Sequence, residues 1–229
     1  MRFLCISDIH GHEAALRAVL ASAERIGYGQ LLVAGDHCFP GPAPLATWQL
    51  LQRANATCAR GASDLALATL DPARVAPTST HEAERLGTLR RVRAELGEVL
   101  LARIARLPDT VRLPLEDGGE LLLVHGSPSD PLEPFTHDMS DDEMRALIGD
   151  DPADIIVCGG SHVPFDRTVA GVRVLGVGSV GEALSGDPDE PARHADATWL
   201  EVHADGSVHV EAIAVPLAGR AEASLQGEA

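Results

Sequence analysis

The chain has 229 residues, 45% of them apolar, which is enough for a sizeable core in one large domain or two small ones. A formal charge of −16, from 34 acidic and 18 basic side chains, disfavours nonspecific attraction to nucleic-acid backbone or anionic lipid, so a phosphate-bearing ligand needs a metal or a local arginine. No apolar run approaches the ~18 residues that cross a bilayer, no cleavable leader is evident, and Cys5, Cys38, Cys58 and Cys158 form no C-x-x-C pair; the chain reads as a cytoplasmic protein with reduced core thiols.

Phe3-Leu-Cys-Ile6 is a continuous apolar run, as expected of a strand covered on both faces, and it stops at Ser7-Asp8. Asp8 and His10 then stand where the strand leaves its sheet. In open α/β sheets ligands bind beyond the carboxyl ends of the strands, so Asp-x-His there can offer an oxygen and a nitrogen to one ion. The same letters also spell a helix N-cap followed by a solvated histidine. Leu16, Val19, Leu20, Ala23 and Ile26 recur at helical spacing and predict a helix from 12 to about 26, stopped near Gly27 and Gly29. Residues 30–34 predict a second strand running into Gly35-Asp36-His37, and a helix carrying Leu45, Trp48, Leu50 and Leu51 follows a Gly/Pro loop. Thr57 to Arg60 predict a short third strand ending at Gly61-Ala-Ser-Asp64. This β-α-β-α-β order favours a parallel sheet with right-handed crossovers.

Residues 78–107 predict one long helix or a broken pair, with Gly87 and Gly97 as candidate breaks and Pro108 as the stop. Residues 110–115 and 120–124 flank Glu116-Asp-Gly-Gly as a hairpin whose second strand exits at His125-Gly-Ser-Pro128. Residues 129–139 read as an acidic, Pro-containing loop, and Ser140-Asp-Asp-Glu143 as a capping box opening a helix. Residues 154–158 predict a buried strand leaving into Gly159-Gly-Ser-His162. Residues 165–170 and 172–177 then pair about Gly171, and 197–202 pairs with 208–215. Residues 182–195 read as a polar loop and the last dozen as a frayed tail, giving one domain over 1–217 and a flexible 218–229.

Five predicted strands therefore exit at chemistry-bearing residues: Asp8/His10, Asp36, Gly61 to Asp64, His125 and His162. In this order Ser-Asp8-Ile-His10-Gly, Gly35-Asp36, Arg60-Gly61, Val-His125-Gly-Ser-Pro, Gly-Gly-Ser-His162 and Val177-Gly-Ser-Val-Gly181 resemble the calcineurin-like metallophosphoesterases, closest to the small bacterial predicted-phosphodiesterase branch. The resemblance implies an α/β (α+β) four-layer fold, two mixed β-sheets sandwiched between helices, with metal ions at the sheet edge. It implies a first metal on Asp8, His10, Asp36 and His162, and a second sharing Asp36 and adding His125. The family's asparagine and further histidine for that second ion are Ala62 and Gly160 here, and neither can donate an electron pair. The histidine that often protonates the leaving group is Ser63, so Asp64, which normally orients it, stands without that partner. His12 and His37 are candidate substitute ligands for the second ion.

Histidine and carboxylate donors suit Mn, Fe, Zn or Ni, with one ion expected, or two if a substitute ligand serves. The expected activity is phosphodiester or phosphomonoester hydrolysis of a small phosphorylated substrate, with a metal-bound hydroxide as nucleophile and Arg60 or His125 holding phosphate. The alternative is a non-catalytic protein of the same fold that binds metal or a phosphate ligand. Specificity is expected in loops 38–44, 63–80 and 128–140. Gly176-Val-Gly-Ser-Val-Gly181 matches G-x-G-x-x-G, but too little helix follows it to bind a dinucleotide. Ser127 and Ser179 lack the context of a nucleophile elbow. Cys38 reads as a packed thiol, and His81, His137, His194, His203 and His209 as solvated.

Overall fold

The computed structural model describes residues 1–184 and 192–217. The predicted tail, 218–229, and residues 185–191 of the predicted polar loop lie outside the described residues. Two five-stranded sheets face one another. The first has the order β10-β9-β1-β2-β3, built from β1 (Arg2–Ile6), β2 (Gln30–Val33), β3 (Thr57–Cys58), β9 (His194–Val202) and β10 (Val208–Pro216). The second has the order β4-β5-β6-β8-β7, from β4 (Thr110–Pro114), β5 (Glu120–Val124), β6 (Ile155–Cys158), β7 (Pro164–Val169) and β8 (Val172–Val177). Both are mixed: β1, β2 and β3 run parallel, as do β5, β6 and β8, while β4, β7, β9 and β10 are antiparallel to their neighbours.

The alternation of side chains along each strand explains the layers. Phe3 and Cys5 of β1 point into the inter-sheet core with Leu32, Leu121, Leu123, Val157 and Leu200. Leu4 and Ile6 point the other way, onto Leu16, Val19 and Leu20 of α1 (Glu13–Ile26) and Leu51 of α2 (Pro44–Arg53). The far face of the second sheet is covered by Met144 and Ile148 of α5 (Asp141–Ile148) together with Phe135. Deleting one such buried leucine side chain costs ~2–5 kcal/mol.

A third group of helices caps one end. Residues 62–69, expected as loop, form α3 (Ala62–Thr69), whose N-terminal turn is closed by Gly61 N–H donating to Asp64 Oδ2 at 2.9 Å. Leu67 of α3 packs with Trp48 and with Leu86, Leu89, Val92 and Leu96 of α4 (Thr80–Ile104). Of the two candidate breaks in α4, Gly97 is the real one, at φ 71° and ψ 165°, whereas Gly87 stays helical. The predicted cap on α5 is present, with Ser140 Oγ accepting from Glu143 N–H and Glu143 accepting from Ser140 N–H. Strand β9 begins at His194, three residues earlier than its apolar pattern indicates, because Asp196 and His194 interrupt the alternation. No helix among the described residues is long and apolar enough to cross a membrane.

Candidate metal centre and substrate cavity

Every strand predicted to carry chemistry does exit at the same edge. Asp8 and His10 follow β1, Asp36 follows β2, His125 follows β5 and His162 follows β6. Six non-glycine residues among those described have positive φ, and four of them are Asp8 (53°), His10 (49°), Asp36 (56°) and His162 (58°). Left-handed backbone at a non-glycine residue costs ~1–3 kcal/mol and persists where surrounding structure enforces it, as it does around ligand-holding sites. Here the enforcement is visible. Asp8 N–H donates to Gly35 O and His10 N–H to Asp36 O, so the two strand-exit turns lock together. The 178–181 turn braces them: Ser179 Oγ donates to Asp8 O at 2.9 Å, and Gly181 N–H to the same oxygen at 3.0 Å. A Cβ at Gly181 would lie 2.2 Å from Ile9 O, so that glycine serves close approach and not a dinucleotide.

The side chains then present donor atoms to a common space. His10 Nδ1 donates to Phe39 O (2.6 Å) and His125 Nδ1 to Ala34 O (2.7 Å). A carbonyl can only accept, so both rings carry a proton on Nδ1, and the neutral ring then has its lone pair on Nε2. Asp8 Oδ2 accepts from Gly160 N–H at 2.9 Å, while Asp8 Oδ1 is buried without a hydrogen-bond partner. That oxygen lies 3.6 Å from His10 Nε2 and 3.2 Å from His162 Nε2, and the two imidazole nitrogens are 3.2 Å apart. Asp36 Oδ1 is 3.7 Å from His125 Nε2 and Asp36 Oδ2 is 4.0 Å from His10 Nε2. Two donor groups result, Asp8/His10/His162 and Asp8/Asp36/His125, each with all atoms within 4.8 Å of one another. Asp36 therefore groups with His125, and Asp8 belongs to both sets. Two buried carboxylates and three imidazoles crowded onto one space, with one carboxylate oxygen left without a hydrogen bond, are a donor set that fits a metal of the histidine-and-carboxylate class.

Electrostatics follow from this crowding. Burial alone would raise the Asp8 carboxyl, but His162, His125 and the Gly160 N–H outweigh it and hold it below the ordinary range. Asp36 is pushed up, chiefly by burial and then by Asp64 and Asp8 nearby. Burial works against protonating His162, yet Asp8, Glu182 and Asp36 together raise it.

The remaining expectations divide. Arg60 is engaged elsewhere and does not line the cavity onto which the cluster opens: Nε and Nη2 donate to Asp109 Oδ1 (3.0 and 2.5 Å) and Nη1 to Ala105 O (3.0 Å). Asp64 accepts four hydrogen bonds, from Asp36, His37 and Gly61 N–H and from His37 Nδ1 at 2.7 Å. Its ring partner is thus His37, packed edge-on against Trp48, which takes that histidine out of the candidate ligands. His12 stands at the N-cap of α1 with its pKa lowered by burial, and it joins neither donor group. A Cβ at Gly160 would sit 3.5 Å from His125 Nε2 and 3.0 Å from Pro134 Cβ, and Ala62 presents only a methyl. Cys38 is buried and all four thiols are free. His81, His137, His203 and His209 are exposed, while His194 is half-buried 3.2 Å from Asp196.

The cluster opens onto a cavity of about 680 Å³ lined by His10, Asp36, His162 and Glu182 at one end. The α3/α4 side supplies Ala62, Ser63, Ala66, His81, Glu84, Arg85 and Thr88. Glu182, 3.7 Å from His10 Nε2, went unnoticed in the sequence because it follows a glycine turn with no pattern of its own. Residues 81, 85 and 88 are spaced to share one helix face, a signal that was present but not decisive.

No curated protein matches the sequence at a significant level. Among solved structures, a hypothetical protein from Pyrococcus horikoshii is similar at 20% identity over 98% of this chain and 91% of that one, with a TM-score of 0.77. A metallophosphoesterase from Sphaerobacter thermophilus is similar at 22% identity over 94% and 88%, TM-score 0.72. An archaeal phosphodiesterase is similar at 15% identity over 93% and 100%, TM-score 0.51. At these identities the likeness is one of fold. A family model, the calcineurin-like phosphoesterase superfamily domain, matches residues 1–195, and the chain belongs to that superfamily.

Proposed function

We propose that the protein hydrolyses a small phosphorylated substrate, a phosphomonoester or phosphodiester, at a divalent ion held by Asp8, His10 and His162 with Asp36 and His125 alongside. The observation that carries this reading is Asp8 Oδ1, buried, without a hydrogen-bond partner and facing two Nε2 atoms at 3.6 and 3.2 Å. A divalent ion bound there polarises phosphoryl oxygen and acidifies water. The chain's own residues do the rest. Phe39 and Ala34 carbonyls hold the His10 and His125 rings in the tautomer that leaves Nε2 free. Asp64 fixes the Asp36 turn through backbone N–H groups, and Ser63 N–H at the start of α3 donates to Asp36 Oδ1 at 2.8 Å. Glu182 sets a half-exposed carboxylate at the cavity wall, 3.7 Å from His10 Nε2. The cavity volume, about 680 Å³, falls in the ~300–1,000 Å³ range of small-molecule sites, which suits a small phosphorylated ester.

A second reading has its own support. Ala62 and Gly160 offer no ligand atoms and Ser63 stands where a leaving-group acid is expected, which favours a metal- or phosphate-binding protein without turnover. Elemental analysis paired with hydrolysis of bis(4-nitrophenyl) phosphate under Mn, Zn, Fe and Ni separates the two. Turnover that disappears with the ion in Asp8→Ala supports the enzyme. A metal-loaded protein that hydrolyses neither monoesters nor diesters rejects it.

A further inference from the structure

Among the described residues that line the cavity one is an arginine, and it is not the one that the motif order indicated. Arg85 lines the same cavity as His10, Asp36 and His162, while its guanidinium has no hydrogen-bond or ion-pair partner among the described residues. Its position is nevertheless enforced. Leu86 and Leu89 are buried against Phe39, Trp48 and Leu67, which turns the 81/85/88 face of α4 to the cavity. Arg91 donates to Pro40 O (3.1 Å) and Gly41 O (2.8 Å), and Arg93 donates to Leu67 O, so α4 is tied both to the loop after β2 and to α3. The helix is anchored by Arg91 and Arg93, which are engaged, and presents Arg85, which is not, to the cavity.

Phosphoryl transfer spreads charge over three equatorial oxygens, and a single divalent ion leaves part of that charge uncompensated. Ala62 and Gly160 add no ligand atom to the second donor group, Asp8/Asp36/His125, and Ala62 lines the cavity wall beside Ala66, on the helix that packs against α4. A guanidinium is always charged and matches a pair of phosphate oxygens with two parallel N–H bonds, which an ammonium does not.

We propose that Arg85 pairs with anionic phosphate oxygens of the substrate, supplying from α4 positive charge beside the metal centre. The assignment rests on the phosphoester reading of the cavity, but its test does not require turnover. Inorganic phosphate and a nucleoside 3′,5′-bisphosphate are titrated calorimetrically into manganese-loaded wild type, Arg85→Gln and Arg85→Lys, with ion content and melting temperature measured on each. Arg85→Gln is expected to keep its ion and its melting temperature and to bind about ten- to hundredfold more weakly, with Arg85→Lys in between. Weakening with both ligands places Arg85 on the phosphate at the metal; weakening with the bisphosphate alone places it on a second anionic group. Wild-type affinity of Arg85→Gln for both ligands overturns the proposal, as does a wild type that binds neither. Arg85-dependent phosphate binding without hydrolysis would retain this assignment and reject the enzymatic reading alone.

Discussion

Two aspartate–histidine clusters share the turn after β2, and burial does not tell them apart. Asp8 and Asp64 are both fully buried. Asp64 accepts four hydrogen bonds, and its carboxylate meets the Nδ1–H of His37 at 2.7 Å in a contact closed to solvent. Asp8 keeps one oxygen unpartnered, 3.6 Å from His10 Nε2 and 3.2 Å from His162 Nε2, and those two histidines line an open cavity. The same residue types thus perform opposite tasks. Where the carboxylate is fully partnered the cluster is a brace, with His37 Nε2 left without a partner; where a carboxylate oxygen is left bare among histidines it is a seat for a cation.

The sharpest way to break this contrast is to cut each cluster once. Asp8→Ala or His162→Ala should lose the ion and turnover together, with metal affinity falling by more than the ~100-fold typical of losing a ligand's hydrogen-bond partner. Elemental analysis and titration read it. His37→Ala should instead cost ~3–5 kcal/mol in urea denaturation, since it strands a buried carboxylate, while the folded fraction keeps its ion content. Ion loss from folded His37→Ala would erase the distinction.

The pH dependence sharpens it further. Burial favours the neutral acid at Asp64, but His37 and the surrounding N–H groups outweigh it and hold its pKa below the ordinary value. A depressed carboxyl stabilises the fold above its unfolded pKa of ~3.9 and loses that contribution as pH falls through the lower folded value. His37 is raised well above its usual value by Asp64 in spite of burial, so its contribution is full below pH ~6.5 and fades as pH climbs through the folded pKa. The difference in melting temperature between wild type and Asp64→Asn should therefore be largest near pH 5–6 and shrink on both sides, a flat difference being the contrary result.

A smaller effect probes the second donor group, Asp8/Asp36/His125. Ala62→Asn with Gly160→His should raise the ion count toward two per chain at a cost of ~1–2 kcal/mol, because position 160 has φ 76° and Pro134 lies close. An unchanged count would mean that the lost ligands are not what limits the second ion. Smallest of all, Ser140→Ala removes the α5 cap and should lower stability by ~1 kcal/mol without touching ion content.

How legible all this was depended on the range over which each property is set. Strand β1, helix α1 and the capped α5 follow from periodicity and end signals within a dozen residues. Helix α3 escaped notice because its N-cap is Gly61 and its closing acceptor, Asp64, looked like the remnant of a site. Gly97 and Gly87 are equivalent letters in α4, and only packing against α2 and α3 chose between them. His37 sits beside Asp36 in sequence, yet the turn sends its ring backward onto Trp48.

By itself the sequence determined the order of strand exits, the donor types that gather there and the gaps at Ala62 and Gly160, since these are properties of residue identity and local pattern. Tertiary structure alone decided where each polar group points. Arg60 meets Asp109 and the Ala105 carbonyl from more than forty residues away, and Glu182 and Arg85 enter the cavity from elements with no motif. A side chain's partners are chosen by what the fold brings within ~3 Å of it, and that distance is not written in its neighbours along the chain.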